Sequence, residues 1–141
     1  MNQTILAFGY PENVIKEHNH WIVLLRPKQV TIGSLVLAAK SDATALGDLN
    51  AEVWSEYALV TREIEELLRK TYKADKFNYL ALMMKDPNVH FHFIPRYSQP
   101  VKIGDQQFAD RDWPLKTELE PIDLSEAQFA EIQHHLKVGL A

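Results

Sequence analysis

The sequence predicts an α+β fold: an antiparallel sheet carrying one long helix and a C-terminal helix. Three observations carry this prediction. Two short runs, 20–25 and 34–39, each apolar after its first residue, lie either side of Pro27 and Gly33. A helical three-to-four spacing follows Asn50. Two further strand-like runs, 76–83 and 88–94, are separated by the turn Lys85-Asp86-Pro87.

Each element has its own signal. Residues 1–19 are mixed and predict no element. Residues 20–25 read as a strand ended by Arg26-Pro27-Lys28, since proline removes a ladder donor. Gly33 punctuates the start of the second strand. Both runs are apolar on both faces, so both sides of the sheet are expected to be covered. Asn50 is placed to cap the long helix, with Glu52 in its first turn. Trp54, Tyr57, Ala58, Thr61, Ile64, Leu68 and Tyr72 mark one apolar stripe, and Val53, Val60 and Leu67 a second. Two stripes imply two contacts, the sheet and one other surface. The strict alternation over 88–94 makes it the second arm of a hairpin with 76–83. After Pro95-Arg96 the chain reads as irregular until Ser125 and Gln128, whose spacing is that of a capping box on the last helix.

Composition narrows the function. A chain of 141 residues, 46% hydrophobic and 24% charged, suits one domain spanning 1–141. It has no cysteine, which excludes disulfides, thiolate metal sites and thiol nucleophiles. A formal net charge of −4 supplies no basic excess for displacing counterions, so long nucleic acid is not an expected partner. No apolar run approaches the ~20 residues of a bilayer span, and residues 1–10 lack a leader pattern. The expectation is a cytoplasmic protein without membrane contact.

The informative residues are His90 and His92. Side chains alternate along a strand, so the two share a face, about 6.5 Å apart along it, with Asn88 beside them. Val89, Phe91 and Phe93 take the opposite face. Such a row suits three readings. Two imidazoles can share a metal ion, given further ligands. An imidazole, neutral in large part at neutral pH, can attack phosphorus and form a covalent intermediate while its neighbour supports the phosphoryl oxygens. The third reading is a pair of half-buried polar residues with no chemistry.

The string Asn88-Val89-His90-Phe91-His92-Phe93-Ile94-Pro95-Arg96 resembles the signature of the histidine triad superfamily, alternating histidines and apolar residues often followed by Pro-Arg. Residues 29–40 resemble the family strand that ends in Pro-Lys. The resemblance covers roughly residues 13–96 and is to diadenosine polyphosphate hydrolases in particular, with a modified triad. Aligned on 93–96, His92 falls on the third histidine, His90 on the middle one and Asn88 on the first. A shifted register would make His92 the nucleophile, but the tail at 93–96 argues against it.

The resemblance implies a histidine-triad-like α+β fold, a homodimer with joined sheets, and a small nucleotide substrate. Candidates are dinucleoside polyphosphates, phosphoramidates and adenylated compounds. It implies that His90 attacks the α-phosphorus to give a nucleotidyl-histidine that water hydrolyses, that His92 meets the phosphate or leaving group, and that neither metal nor other cofactor is needed. Asn88, Ser34, Arg26 and Arg96 are the implied substrate-binding positions. Three of these depart from the family pattern. Asn88 replaces a histidine, as does Ser34, and Arg26 lies near the place of an acidic or amide residue that meets ribose hydroxyls. The turn before the triad is shorter than the usual glycine-rich loop. These losses keep open a non-catalytic nucleotide-binding module of the same fold. Lesser candidates are His18 and His20 beside Trp21, on which a nucleobase could stack. His134 and His135 on the last helix, and Asp110, Asp112 and Trp113 near a dimer mate's pocket, complete the set.

Overall fold

Five strands, Val14–Glu17 (β1), Trp21–Leu25 (β2), Leu35–Ala39 (β3), Lys76–Leu80 (β4) and His90–Arg96 (β5), form an antiparallel sheet in the order β1-β2-β3-β5-β4. This is seen in a computed structural model that describes residues 1–141. Helices Gln3–Ala7 (α1), Ala51–Tyr72 (α2) and Glu126–Leu140 (α3) flank the sheet, and Val101–Ile103 (β6) with Gln106–Phe108 (β7) make a separate small hairpin. The α+β arrangement expected from the sequence is therefore present, with α1, β1, β6 and β7 in addition. A five-residue helix and three- or four-residue strands are too short to print a period on the sequence.

The apolar runs behave as their composition requires. Every residue of β2 and of β3 is buried. One face, with Trp21, Val23, Leu35, Leu37 and Phe93, packs into the main core with Val60, Ile64 and Leu68 of α2 and Ile132 and Leu136 of α3. The other face, with Ile22, Leu24, Val36 and Ala38, packs under α1 through Ile5 and Phe8. The second stripe on α2 is covered from within the chain. Val53, Val60 and Leu67 are buried, and Leu67 leaves no room for a side chain at Gly139 of α3. Asn50 sits at the N-cap of α2 without a side-chain cap bond. The Ser125–Gln128 capping box on α3 is complete.

The β4–β5 hairpin is looser than its sequence suggests. β4 ends at Leu80 and β5 starts at His90, so residues 81–89 connect them rather than a tight turn at 85–87. β5 pairs with β3 through Val36↔His92 and Ala38↔His90, which puts both histidines on the α1 side of the sheet.

The end of β5 is fixed by charge. Arg96 and Asp110 face each other with side chains only 5% and 2% exposed, Nε donating to Oδ2 at 2.7 Å and Nη2 to Oδ1 at 3.2 Å. The same guanidinium donates to Asn78 and to the Leu115 carbonyl, so strand, edge and C-terminal segment meet at one cation. A buried cation without its carboxylate costs far more than an exposed one. Asp110→Ala is expected to lower stability by about 3–5 kcal/mol, read as a lower urea midpoint with an unchanged slope. A loss under ~1 kcal/mol would show that water replaces the carboxylate.

Candidate active site

His90 and His92 lie side by side with ring centroids 5.1 Å apart and planes at 83°. Both are covered: His90 is 3% and His92 9% exposed. Phe8, immediately after α1, lies against both rings at 5.4 and 5.7 Å. The site thus has a polar floor on β5 and an aromatic wall supplied by the N-terminal segment.

Hydrogen bonds assign the tautomers. His90 Nδ1 is 2.8 Å from the carbonyl oxygen of Asn88. A carbonyl only accepts, so Nδ1 carries the hydrogen and the neutral ring has its lone pair on Nε2. For His92 the contact is reversed. The Arg26 Nε–H points at His92 Nδ1 from 3.5 Å, at the outer limit of a hydrogen bond. With a cation at Nδ1, the neutral ring keeps its hydrogen on Nε2. One imidazole is thereby arranged as a nucleophile or ligand and its neighbour as a donor.

Burial first, then the positive charges of Arg26 and His90, push the His92 pKa down from 6.5 to about 4. Burial also lowers the pKa of Arg26. The guanidinium of Arg26 is further held by donation to the Lys28 carbonyl.

Asn88 serves the frame and not the open side of the site. Its Oδ1 accepts from the Thr4 N–H at 3.3 Å and the Thr4 hydroxyl at 3.1 Å. Its Nδ2 donates to the Asp42 carbonyl, and its backbone N–H donates to Thr4 Oγ1. All of this ties α1 to the start of β5. Ser34 is likewise turned inward. It is fully buried, its Oγ accepts from the N–H groups of Val30 and Thr31, and its hydroxyl donates to the Thr31 carbonyl. Arg96 is buried and spends four of its five donors on Asp110, Asn78 and the Leu115 carbonyl. Ser34 and Arg96, expected to contact substrate, both have their polar groups engaged within the fold. Of the sequence candidates, the structure brings together His90, His92 and Arg26, with Asn88 behind them.

The lesser candidates lie elsewhere. Trp21 is fully buried with its Nε1–H on the Val53 carbonyl, so it offers no face to a base. His20 and His18 meet Glu56 and Glu63 of α2 near the β1–β2 turn. His135 on α3 is exposed and lies 3.0 Å from the Tyr72 hydroxyl. Asp110 is consumed by Arg96 within its own chain. No cluster of three or more His, Asp or Glu side chains converges as a metal site, so the two imidazoles lack the further ligands a closed centre needs. Sequence reasoning missed Phe8 and Thr4, because only the docking of α1 across the sheet gives them a role.

No family profile and no curated protein sequence matches this chain. Solved structures do resemble it. A histidine triad protein from Marinobacter aquaeolei VT8 is 22% identical with a TM-score of 0.73, over 99% of this chain and 94% of that one. A histidine triad (HIT) protein from Sinorhizobium meliloti 1021 is 17% identical with a TM-score of 0.75, over 99% and 96%. A histidine triad protein from Bradyrhizobium japonicum is 21% identical with a TM-score of 0.70, over 91% and 90%. The chain has the histidine triad fold.

The His92 environment has a readable consequence. The folded state holds the neutral ring, so unfolding takes up a proton between pH about 4 and 6.5. The contribution of His92 to stability is complete above 6.5 and declines as pH falls towards 4. In an NMR titration the His92 C–H resonances are expected to move with a midpoint of about 4. In Arg26→Gln that midpoint is expected to rise, because one positive neighbour is gone. A wild-type midpoint near 6.5 would show that water and anions reach the ring freely.

Proposed function

We propose that this chain is a nucleotide-binding hydrolase or nucleotidyl transferase that cleaves a nucleoside monophosphate from a small dinucleotide or adenylated substrate, with His90 as nucleophile. One observation carries the reading. The Nδ1–H of His90 is committed to the Asn88 carbonyl at 2.8 Å, which leaves Nε2 as the reactive nitrogen beside a neutral donor, His92. The histidine triad fold around it supports the nucleotide as substrate class.

The chemistry follows from the tautomers. His90 Nε2 bonds to the α-phosphorus while the phosphorus–oxygen bond to the leaving group breaks. A phosphoanhydride leaving group departs as an anion and needs no proton. The resulting nucleotidyl-imidazolium keeps its Nδ1–H on the Asn88 carbonyl. Water then attacks phosphorus as the phosphorus–Nε2 bond breaks, its proton passes to solvent, and His90 leaves neutral with its lone pair back on Nε2. His92 donates from Nε2 to a phosphoryl oxygen, and its depressed pKa keeps it neutral throughout the physiological range. Arg26 supplies the fixed positive charge. A guanidinium stays charged where an imidazole at the first triad position would titrate.

A non-catalytic nucleotide-binding module is the second reading. The consumption of the Asn88 and Ser34 side chains inside the fold favours it. The dimer belongs with the proposal too. β4 is an edge strand with one side of its backbone unpaired, and Trp54, Tyr57, Tyr79 and Phe91 stand half-buried near it, an edge suited to a second copy.

In His90→Ala, turnover of a diadenosine polyphosphate is expected to fall by about 10³-fold or more, with nucleotide binding retained. Intact-protein mass spectrometry of the wild type should show an added nucleoside monophosphate that His90→Ala lacks. Nucleotide binding without product in the wild type moves the assignment to the binding module. Light scattering should give twice the 16.2 kDa chain mass, and a single-chain mass would remove the dimer.

A further inference from the structure

The two side chains that close over the histidines are held in different ways. Arg26 has polar anchors, the Lys28 carbonyl and His92 Nδ1. The Phe8 ring has none. It lies 5.4 and 5.7 Å from the His90 and His92 rings and packs on the small apolar cluster under α1. Contacts of this kind are non-directional and individually weak, so the ring can leave them without breaking a hydrogen bond.

The backbone that carries the ring is pinned. The Phe8 N–H donates to the Thr4 carbonyl at 3.2 Å, and the Phe8 carbonyl accepts from Asn13 Nδ2 at 3.1 Å. The same Asn13 side chain closes on Gly9, whose φ of +93° and lack of space for a Cβ require glycine. Nearer the N-terminus, Asn2 donates to the Ala39 and Ser41 carbonyls, and Thr4 is locked to Asn88. Movement at this point belongs to the Phe8 side chain, turning about its own bonds, and not to α1.

A cleft of about 340 Å³ lies against the same ring. Phe8 and Arg26 are among its walls, and neither histidine is. The ring therefore stands between an open cavity and two imidazoles that are only 3% and 9% exposed. Attack by a nitrogen needs the electrophile within about 3–3.5 Å along an open line. With Phe8 packed on His90, a molecule in the cleft has no such line to Nε2.

We infer that the Phe8 side chain is a gate: packed on the imidazoles it shuts His90 off from the cleft, and turned aside it joins the two. This goes beyond the reaction proposed above, because it concerns the empty protein and requires no particular substrate. In that reaction, opening of the gate precedes the bond between Nε2 and phosphorus, and the closed ring keeps the nucleophile from stray electrophiles.

Diethyl pyrocarbonate tests the gate without a nucleotide. The free imidazole nitrogen attacks one carbonyl carbon and gains an ethoxycarbonyl group. Ethyl carbonate leaves, the ring proton follows it, and the pair breaks down to ethanol and carbon dioxide. Brief labelling at neutral pH with peptide mass mapping reads each histidine separately. His134, exposed on α3, gives the rate of an open imidazole. His18, largely covered between β1 and β2, reports general loosening of the chain. A gate open for about 0.1–10% of the time labels His90 at least about tenfold more slowly than His134. In Phe8→Ala, His90 is expected to approach the His134 rate while His18 stays unchanged. Wild-type His90 labelled as fast as His134 overturns the gate, and so does slow labelling that persists in Phe8→Ala. Should His18 accelerate together with His90 in that variant, Phe8→Leu decides, since it keeps an apolar side chain on the cluster. A His90 rate between those of wild type and His134, with His18 unchanged, supports the gate, and the wild-type rate overturns it. Each of these outcomes leaves the nucleotide reading to be decided separately by turnover and adduct formation.

Discussion

The pairing of β3 with β5 is the constraint on which the rest of this molecule depends. These are the two interior strands whose register decides what β5 shows to each side of the sheet. With Val36 opposite His92 and Ala38 opposite His90, the histidines face α1, and Phe93 faces the main core. A strand alternates with a period of two, so a slip of one residue would bury both imidazoles under α2 and bring Phe93 to the site. The apolar residues that hold the register are therefore as much a part of the site as its polar ones. Small and branched partners on β3 leave room above the sheet, and Phe8 fills that room from the far end of the chain.

Asn88 shows how one residue can serve the fold with its side chain and the candidate site with its backbone. Its carboxamide has been drawn into a network with Thr4 and Asp42 that fastens α1. Its carbonyl orients His90, a role that any residue at that position could fill. Side chain and backbone have separate duties, and only the side-chain duty depends on residue type. The positive charge near His92 comes from Arg26, at the end of β2 and far from residue 88 in sequence. The electrostatics of the site are thus supplied by a different strand from the one that carries the histidines.

The frame was legible in the sequence wherever an element was long or strictly alternating. Both arms of the β4–β5 hairpin, the apolar β2 and β3, the periodic α2 and the Ser125–Gln128 cap on α3 all declare themselves by spacing. So did the shared face of His90 and His92. The roles of isolated polar residues were not legible, because a hydroxyl or guanidinium has the same local signal whether it meets a ligand or its own backbone. Ser34 binds the turn that precedes β3, and Arg96 binds a carboxylate fourteen residues downstream. Trp21 reads as an available aromatic until α2 is placed over it. Phe8 and Thr4 sit in a stretch with no period at all. Their contribution comes from a tertiary contact that no window of sequence contains.

The contact between Thr4 and Asn88 spans 84 positions along the chain. Closing so long a loop costs conformational entropy that no local contact returns, and the five residues of α1 cannot sustain a helix alone. The aromatic wall over the histidines therefore forms only after β2, β3 and β5 have created the surface on which α1 rests. The enclosure of the site thus depends on the sheet beneath it and not on any propensity of α1 itself. A partly folded chain carries both imidazoles in its sequence and still lacks the enclosure that gives them their separate characters.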